Sequence, residues 1–297
     1  MASSRLLDWM SRMRSVPQLE RLIPALYLAH GSPFLMLPQS SDDEVFSNDS
    51  KLGGLHYQFL EQLGPFLLEK FRPKGIIVFS AHYESRGSVE VYSRDDENPL
   101  FYDYYGFPDY LYQIKFHSKG SKRIADQIIS ALKEYQIPAK TVSGDRGLDH
   151  GVFVPFKIMF PDGLNIPLIE VSMHTLDPMQ LYKVGQALQS LRKEYLIVSG
   201  GLNIHTFEDL SAFNEDTAAD GYKEFQLDIL KAIETDKQND RLNKLLGLQL
   251  HPYFRKAHPR EEHFVPLYVA AGLGSSGKSK VVCDLYGAVS AFFGIDE

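Results

Sequence analysis

Four of the ten histidines in this chain stand at or just past the end of a short apolar run. His30 follows Ala25 to Ala29, His82 closes Ile76 to Ala81, His174 follows Ile169 to Met173, and His205 lies beyond Leu196 to Gly200. Neutral imidazole is the commonest side chain for binding Zn or Fe, and it is also the side chain whose proton moves near neutral pH. Segments that bring imidazoles together therefore offer a metal site, an acid-base group, or both. A thiolate site is excluded by composition. The single cysteine, Cys283 in the run Val281-Val282-Cys283, reads as a buried, inert thiol and fits a reducing, cytoplasmic compartment.

The elements that must position these imidazoles can be read from the periodicity. Strand-like runs cover Ala25 to Ala29, Gly75 to Ser80, Val89 to Tyr92, Ile166 to Ser172, Tyr195 to Ser199 and Val281 to Tyr286. Amphipathic helical stretches cover Leu55 to Phe71, with a kink expected at Gly64-Pro65, then Ser121 to Tyr135, Pro178 to Lys193, Ala218 to Thr235 and Glu262 to Ala271. Alternation of this kind predicts an α/β fold, a single domain with a central mixed, largely parallel sheet flanked by helices. In such a sheet ligands bind outside the carboxyl ends of the strands, so the four histidines share one edge. No linker or repeat divides the chain, which places one domain over 23–297 behind an N-terminal extension over 1–22. Arg5, Arg12, Arg14 and Arg21 give that extension a weak presequence character, but Asp8 and Glu20 favour an amphipathic surface helix.

Composition narrows the partners. With 297 residues, 44% hydrophobic and 23% charged, the chain can bury a full core. A net charge of −7 and a pI near 5.8 give no attraction for a phosphate backbone, so nucleic acid is not expected as a partner. No apolar run approaches the roughly 18 residues of a membrane span, so no membrane is expected either. H-E-x-x-H, G-x-S-x-G and C-x-x-C are all absent. Gly272-Leu273-Gly274-Ser275-Ser276-Gly277-Lys278-Ser279 does match the P-loop pattern, yet a helical segment precedes it and a strand-like one follows. Phosphate binding needs the opposite order, so this segment reads as a solvated helix-to-strand loop.

Five ordered motifs carry a family resemblance: Ala29-His30-Gly31-Ser32-Pro33, Ser80-Ala81-His82-Tyr83, Tyr102-Asp103-Tyr104-Tyr105-Gly106-Phe107-Pro108, Leu148-Asp149-His150-Gly151 and Glu262-His263-Phe264-Val265-Pro266-Leu267. From about Leu26 to about Phe293 the chain resembles the aromatic ring-opening dioxygenases of the DOPA 4,5-dioxygenase type, within the class III extradiol superfamily that includes protocatechuate 4,5-dioxygenase. The resemblance implies metal ligands at His30, His82 and His263, an acid-base histidine at His205, and a substrate- or oxygen-facing histidine at His150. Where the protocatechuate branch has a carboxylate ligand, this chain resembles the three-histidine branch, with Glu261 and Glu262 just before His263.

The implied activity is extradiol cleavage of a small, DOPA-like catechol by O2, with one divalent ion: Fe(II) for dioxygenase chemistry, or Zn(II) in the isolated protein with His205 as a fourth ligand. Zn(II) has no redox chemistry, so oxygen activation requires Fe(II) or a similar metal. Two other classes stay open on the same residues, a zinc-dependent hydrolase and a non-catalytic binding module. Tyr105 and Phe107, with Tyr104, are expected to line the pocket. For His150 the alternative is a helix cap, His174 is expected in a supporting role, and His56, His117, His251 and His258 are expected at the surface.

Overall fold

Strand residues alternate between two apolar cores, as a sheet covered on both faces requires. The computed structural model of the chain describes residues 2–17, 22–39, 47–144 and 146–296. In chain order the elements are α1 (Ala2–Ser15), β1 (Ala25–Ala29), α2 (Leu55–Phe71), β2 (Ile76–Glu84), β3 (Val89–Tyr92), α3 (Lys122–Glu134), β4 (Ala139–Val142), α4 (His150–Met159), β5 (Leu168–Met173), α5 (Pro178–Ala187), β6 (Leu196–Gly201), α6 (Asp220–Ile233), α7 (Gln238–Gly247), α8 (Phe254–Ala257), α9 (Pro266–Leu273), β7 (Ser279–Leu285) and β8 (Ala288–Phe293). Tyr27, Ile77, Phe79 and Ile197 face a core shared with α3, α5, α6 and α9. Leu26, Leu28, Ile76 and Val78 face the other, closed by α1, α2 and α4.

All eight strands form one sheet in the order β4-β3-β5-β2-β6-β1-β8-β7. Its centre, β5-β2-β6-β1, is parallel throughout, whereas β8 joins β1, β7 joins β8 and β3 joins β5 antiparallel. The carboxyl ends of β1, β2, β5 and β6 thus lie along one edge, as the α/β reading expects. No helix of the described residues is long and apolar enough to cross a membrane.

Several elements were not legible in the periodicity. Nine of the ten residues of α4 are buried, so it shows no polar face and carries Pro155 inside; a wholly buried helix and a buried strand look alike in sequence. Likewise β8 is buried on both faces and β4 is a short edge strand. The expected helix from Glu262 starts instead at Pro266, whose missing N–H suits the first helical position, and a turn closed by Phe264 N–H donating to Glu261 O precedes it. Across Gly64-Pro65, α2 runs on as one helix. A Cβ at Gly64 would lie 2.1 Å from the Met159 carbonyl oxygen, so glycine is what lets α2 approach the end of α4.

The extension folds as the amphipathic helix α1, with Trp9, Met13 and Val16 buried and Trp9 Nε1 donating to Asp284 Oδ1 at 2.7 Å. Arg21 lies outside the described residues. The P-loop-like segment joins α9 to β7, helix before strand. Its carbonyls turn inward: Arg241 donates to Gly277 O at 2.6 Å and to Gly274 O at 3.4 Å, while Lys278 is exposed. A phosphate cradle would need amides in that position. Lys278→Ala should change thermal stability by no more than about 0.5 kcal/mol, whereas Arg241→Ala, which strands buried carbonyls, should cost about 2 kcal/mol. Chemical denaturation of both variants checks this, and ATP binding that Lys278→Ala abolishes would refute the assignment.

Candidate active site

Three imidazoles converge where β1, β2 and β6 end. His30 leaves β1 with its amide bonded to Gly201 O at 3.2 Å, and Gly31, at φ +72°, turns the chain back over it. Its Nδ1 lies 2.6 Å from Gly31 O, a contact in which only a protonated Nδ1 makes a hydrogen bond. The lone pair therefore sits on Nε2, which is buried and has no hydrogen-bond partner. His82 lies near the end of β2, with Nδ1 3.5 Å from Asp103 Oδ2. His263 sits in the turn before α9, its carbonyl accepting from Leu202 N–H at 2.8 Å and its Nδ1 2.9 Å from Glu262 Oε1. The Nε2 atoms of His82 and His263 are only 3.2 Å apart.

Ligand atoms of His30, His82 and His263 all fall within 4.8 Å of one another. Burial, reinforced by neighbouring imidazoles, pushes His30 down to about 3 and holds His82 and His263 well below the ordinary histidine range. Neutral rings with Nδ1 held by a carbonyl or carboxylate and Nε2 aimed at a common point are the donor set that a divalent transition ion takes. The residues fit such an ion. They also leave it room, because three protein ligands do not fill a coordination sphere.

Two further histidines flank the triad. The His205 ring stacks on His263 at 3.6 Å between centroids, and its Nδ1 lies 3.5 Å from the Glu262 oxygen that holds His263. His150 is the first residue of α4, and Asp103 Oδ1 accepts from both its backbone N–H at 3.0 Å and its Nδ1 at 2.8 Å. Its ring centroid is 4.1 Å from that of His82. His150 is thus the first residue of α4 rather than its cap, which is Asp149, and its ring lines the cavity. All five histidines line one cavity of about 560 Å³, together with Asp103, Tyr104, Tyr105, Phe107, Phe34, Phe207 and Phe213.

The comparisons with known proteins point the same way. Residues 24–294 match the family model described as the catalytic LigB subunit of aromatic ring-opening dioxygenase. The chain belongs to the LigB family of class III extradiol dioxygenases. Among its relatives, a 4,5-DOPA dioxygenase extradiol of Beta vulgaris is 31% identical over 86% of this chain and 89% of that one. Another protein of that name, from Escherichia coli K12, is 26% identical over 84% of each chain. The crystal structure of an uncharacterized protein from Escherichia coli K12 matches with a TM-score of 0.68 at 21% identity, over 91% of this chain and 99% of that one, a likeness of fold. A divalent ion, typically Fe(II), belongs to the LigB family.

Two carboxylates beside this site were given no role in the sequence reading, although Glu262 was noted just before His263. Asp103 and Glu262 both stood inside quoted motifs, and the signal was present: a lone acid among the aromatics of Tyr102 to Phe107 has no packing reason to be there. Burial alone would raise both acids, but hydrogen bonds and charge from His150 on Asp103, and from His205 on Glu262, leave them below the ordinary carboxylate range. Behind them Arg146 bridges Asp149, at 3.0 Å, and the fully buried Glu170, at 3.6 Å, with its guanidinium 3.9 Å from the Tyr83 ring centre. Burial and the charge of Asp149 raise Glu170 well above the ordinary carboxylate range.

The remaining histidines divide. His174 is half-buried at the end of β5 and does not line the cavity. His117 is exposed and His251 intermediate, but His56 and His258 correct the surface expectation: both are buried, with Nε2 at 3.1 Å from the carbonyls of Ala29 and Asn203 respectively. They brace the segments that carry His30 and His205. Burial lowers His56 to about 4 and His258 to about 3. Above pH 6.5 neither folded nor unfolded chain protonates these rings, so their contribution is fully present there. As pH falls from 6.5 toward 3, the unfolded chain takes up protons that the folded one refuses, and stability drops. Each ring should add up to about 1.4 kcal/mol per pH unit to that slope. Denaturant midpoints of metal-free protein between pH 7 and 4 should therefore fall more steeply for wild type than for His258→Gln, whatever the variant's absolute stability.

Proposed function

We propose that this chain is a non-haem, metal-dependent extradiol dioxygenase that cleaves a small catechol beside its two hydroxyls, incorporating both atoms of O2. The observation that supports the reading is the gathering of ring nitrogens of His30, His82 and His263 within 4.8 Å of one another, with His30 and His263 each contacted at Nδ1 by an oxygen acceptor. The catechol class is the one named for the 4,5-DOPA dioxygenase relatives. His30, His82 and His263 would hold Fe(II), which supplies Lewis acidity toward the catechol oxygens and a redox partner for dioxygen.

The chain's own residues then have separate tasks. His205, with Nδ1 turned toward Glu262, keeps its Nε2 on the far side of the ring to take a hydroxyl proton and return it when the ring opens. Glu262 offsets the positive charge of the protonated ring in the interval. His150, fixed by Asp103, hydrogen-bonds through Nε2 to an oxygen of the substrate or of O2. Tyr105 and Phe107 line the wall against which the catechol and its substituent rest.

Protein loaded anaerobically with Fe(II) should consume one O2 per catechol and yield a coloured ring-opened semialdehyde, followed by oxygen electrode and visible absorbance. Absence of ring-opened product across a broad catechol panel, at verified Fe(II) occupancy, would favour a zinc-dependent hydrolase or a binding module on the same residues.

The histidine roles separate by mutation. His263→Ala should lose metal and activity together, since one of three protein ligands is gone. His205→Gln should retain Fe(II) and catechol affinity while kcat falls by about 10²- to 10⁴-fold. Metal analysis, catechol titration and kcat on both variants decide the matter, and equal loss of metal in His205→Gln would make His205 a ligand.

A further inference from the structure

The reacting end of the cavity is polar, but the rest of its wall is not. Phe34 and Phe107 meet edge to face at 5.2 Å between centroids, and Phe207 and Phe213 lie 6.0 Å apart. Tyr105 is 91% exposed and Phe207 71% exposed, although both line the cavity. Large rings left in water beside a site are the mark of an apolar surface that a ligand covers. At about 560 Å³ the cavity falls in the range that holds drug-sized molecules, well beyond a bare catechol ring.

No lysine or arginine is among the described residues that line it. Among the described residues, two nearby arginines are already paired with acids: Arg146 with Asp149, and Arg260 with Glu84 and Glu262. A carboxylate seated on this wall would lose part of its hydration and meet no lysine or arginine among the described lining residues, and Asp103 would repel it. An ammonium group fares little better. The carboxylate it could meet among the described lining residues, Asp103, is engaged by His150, and pairing with it would release the ring that Asp103 orients.

We propose that the preferred substrate is a catechol whose ring substituent is uncharged and apolar, seated against Phe34, Phe107, Phe207 and Tyr105, rather than an amino-acid or carboxylate side chain. This assignment rests on the catechol reading of the same site and narrows it. Selectivity arises because the described wall rewards apolar area, carries no lysine or arginine for a carboxylate, and has its acid, Asp103, already engaged by His150.

The test is calorimetric titration of Zn(II)-loaded protein, which cannot turn over, with catechols matched in size: 4-propylcatechol, 3,4-dihydroxyphenylpropionate, its methyl ester, dopamine and L-DOPA. Oxygen uptake with the Fe(II) form runs in parallel. The propyl and ester compounds should bind about 10- to 100-fold more tightly than the free acid and L-DOPA, with kcat/KM in the same order. Phe207→Arg, at an exposed position, should narrow the gap between acid and ester at least several-fold. Equal or tighter binding of the acid, dopamine or L-DOPA, with ring cleavage intact, would overturn the substituent assignment and leave the dioxygenase reading standing. Failure of every catechol to bind would instead overturn the catechol reading and this inference with it.

Discussion

Three neutral imidazoles can face one point at close range only if each ring is held from behind. Without such support, the 3.2 Å approach of the His82 and His263 Nε2 atoms would relax by ring rotation. The support differs at each position: a carbonyl one residue along for His30, the Asp103 carboxylate for His82, and the adjacent Glu262 for His263. At His30 and His263 these contacts set which nitrogen carries the proton and hence which offers a lone pair, while at His82 the carboxylate stands 3.5 Å from Nδ1. Much of the surrounding architecture serves to keep those three acceptors in place.

The sheet does this by topology. Because β2, β6 and β1 are adjacent and parallel, their carboxyl ends bring His82, His205 and His30 to neighbouring points on one edge. His263 arrives from the opposite direction of the chain, in a turn pinned to the end of β6 through Leu202. His150 and Asp103 come from outside the sheet, where Asp103 accepts from the first N–H of α4 and orients the histidine that opens it. One carboxylate thus fixes a helix terminus and a site residue at once, which couples the fold's local stability to the geometry of the site.

How much of this was legible in sequence depended on what each residue answers to. Histidines at strand ends, the central parallel strands and the five motifs were readable, because strand periodicity and residue order are local properties. The buried helix α4 and strand β8 were not, since burial on every side erases the polar face that reports secondary structure. His56 and His258 read as surface residues because nothing in sequence reveals that Ala29 O and Asn203 O would wait for them inside. Asp103 and Glu262 went without a role for a different reason. Their importance lies in pairings with His82, His150 and His205 that only the folded chain creates, apart from the Glu262-His263 neighbours.

The absence of a carboxylate among the three converging rings raises a question of charge that Asp103 and Glu262 answer. A set of three neutral donors leaves a dication uncompensated, and a low-dielectric pocket magnifies that imbalance. Both acids remain below the ordinary carboxylate range, so both are anionic at neutral pH; Asp103 lies on the cavity wall beside His150, and Glu262 reaches the site through His263 and His205. A dication held by the three rings would thereby have two anions nearby without a carboxylate among those three donors. The same arrangement explains why the remainder of the cavity is aromatic. With two anions already committed to imidazoles and the nearby arginines committed to acids, a further charged group would have no counterpart, and apolar rings are what can complete the wall without disturbing that balance.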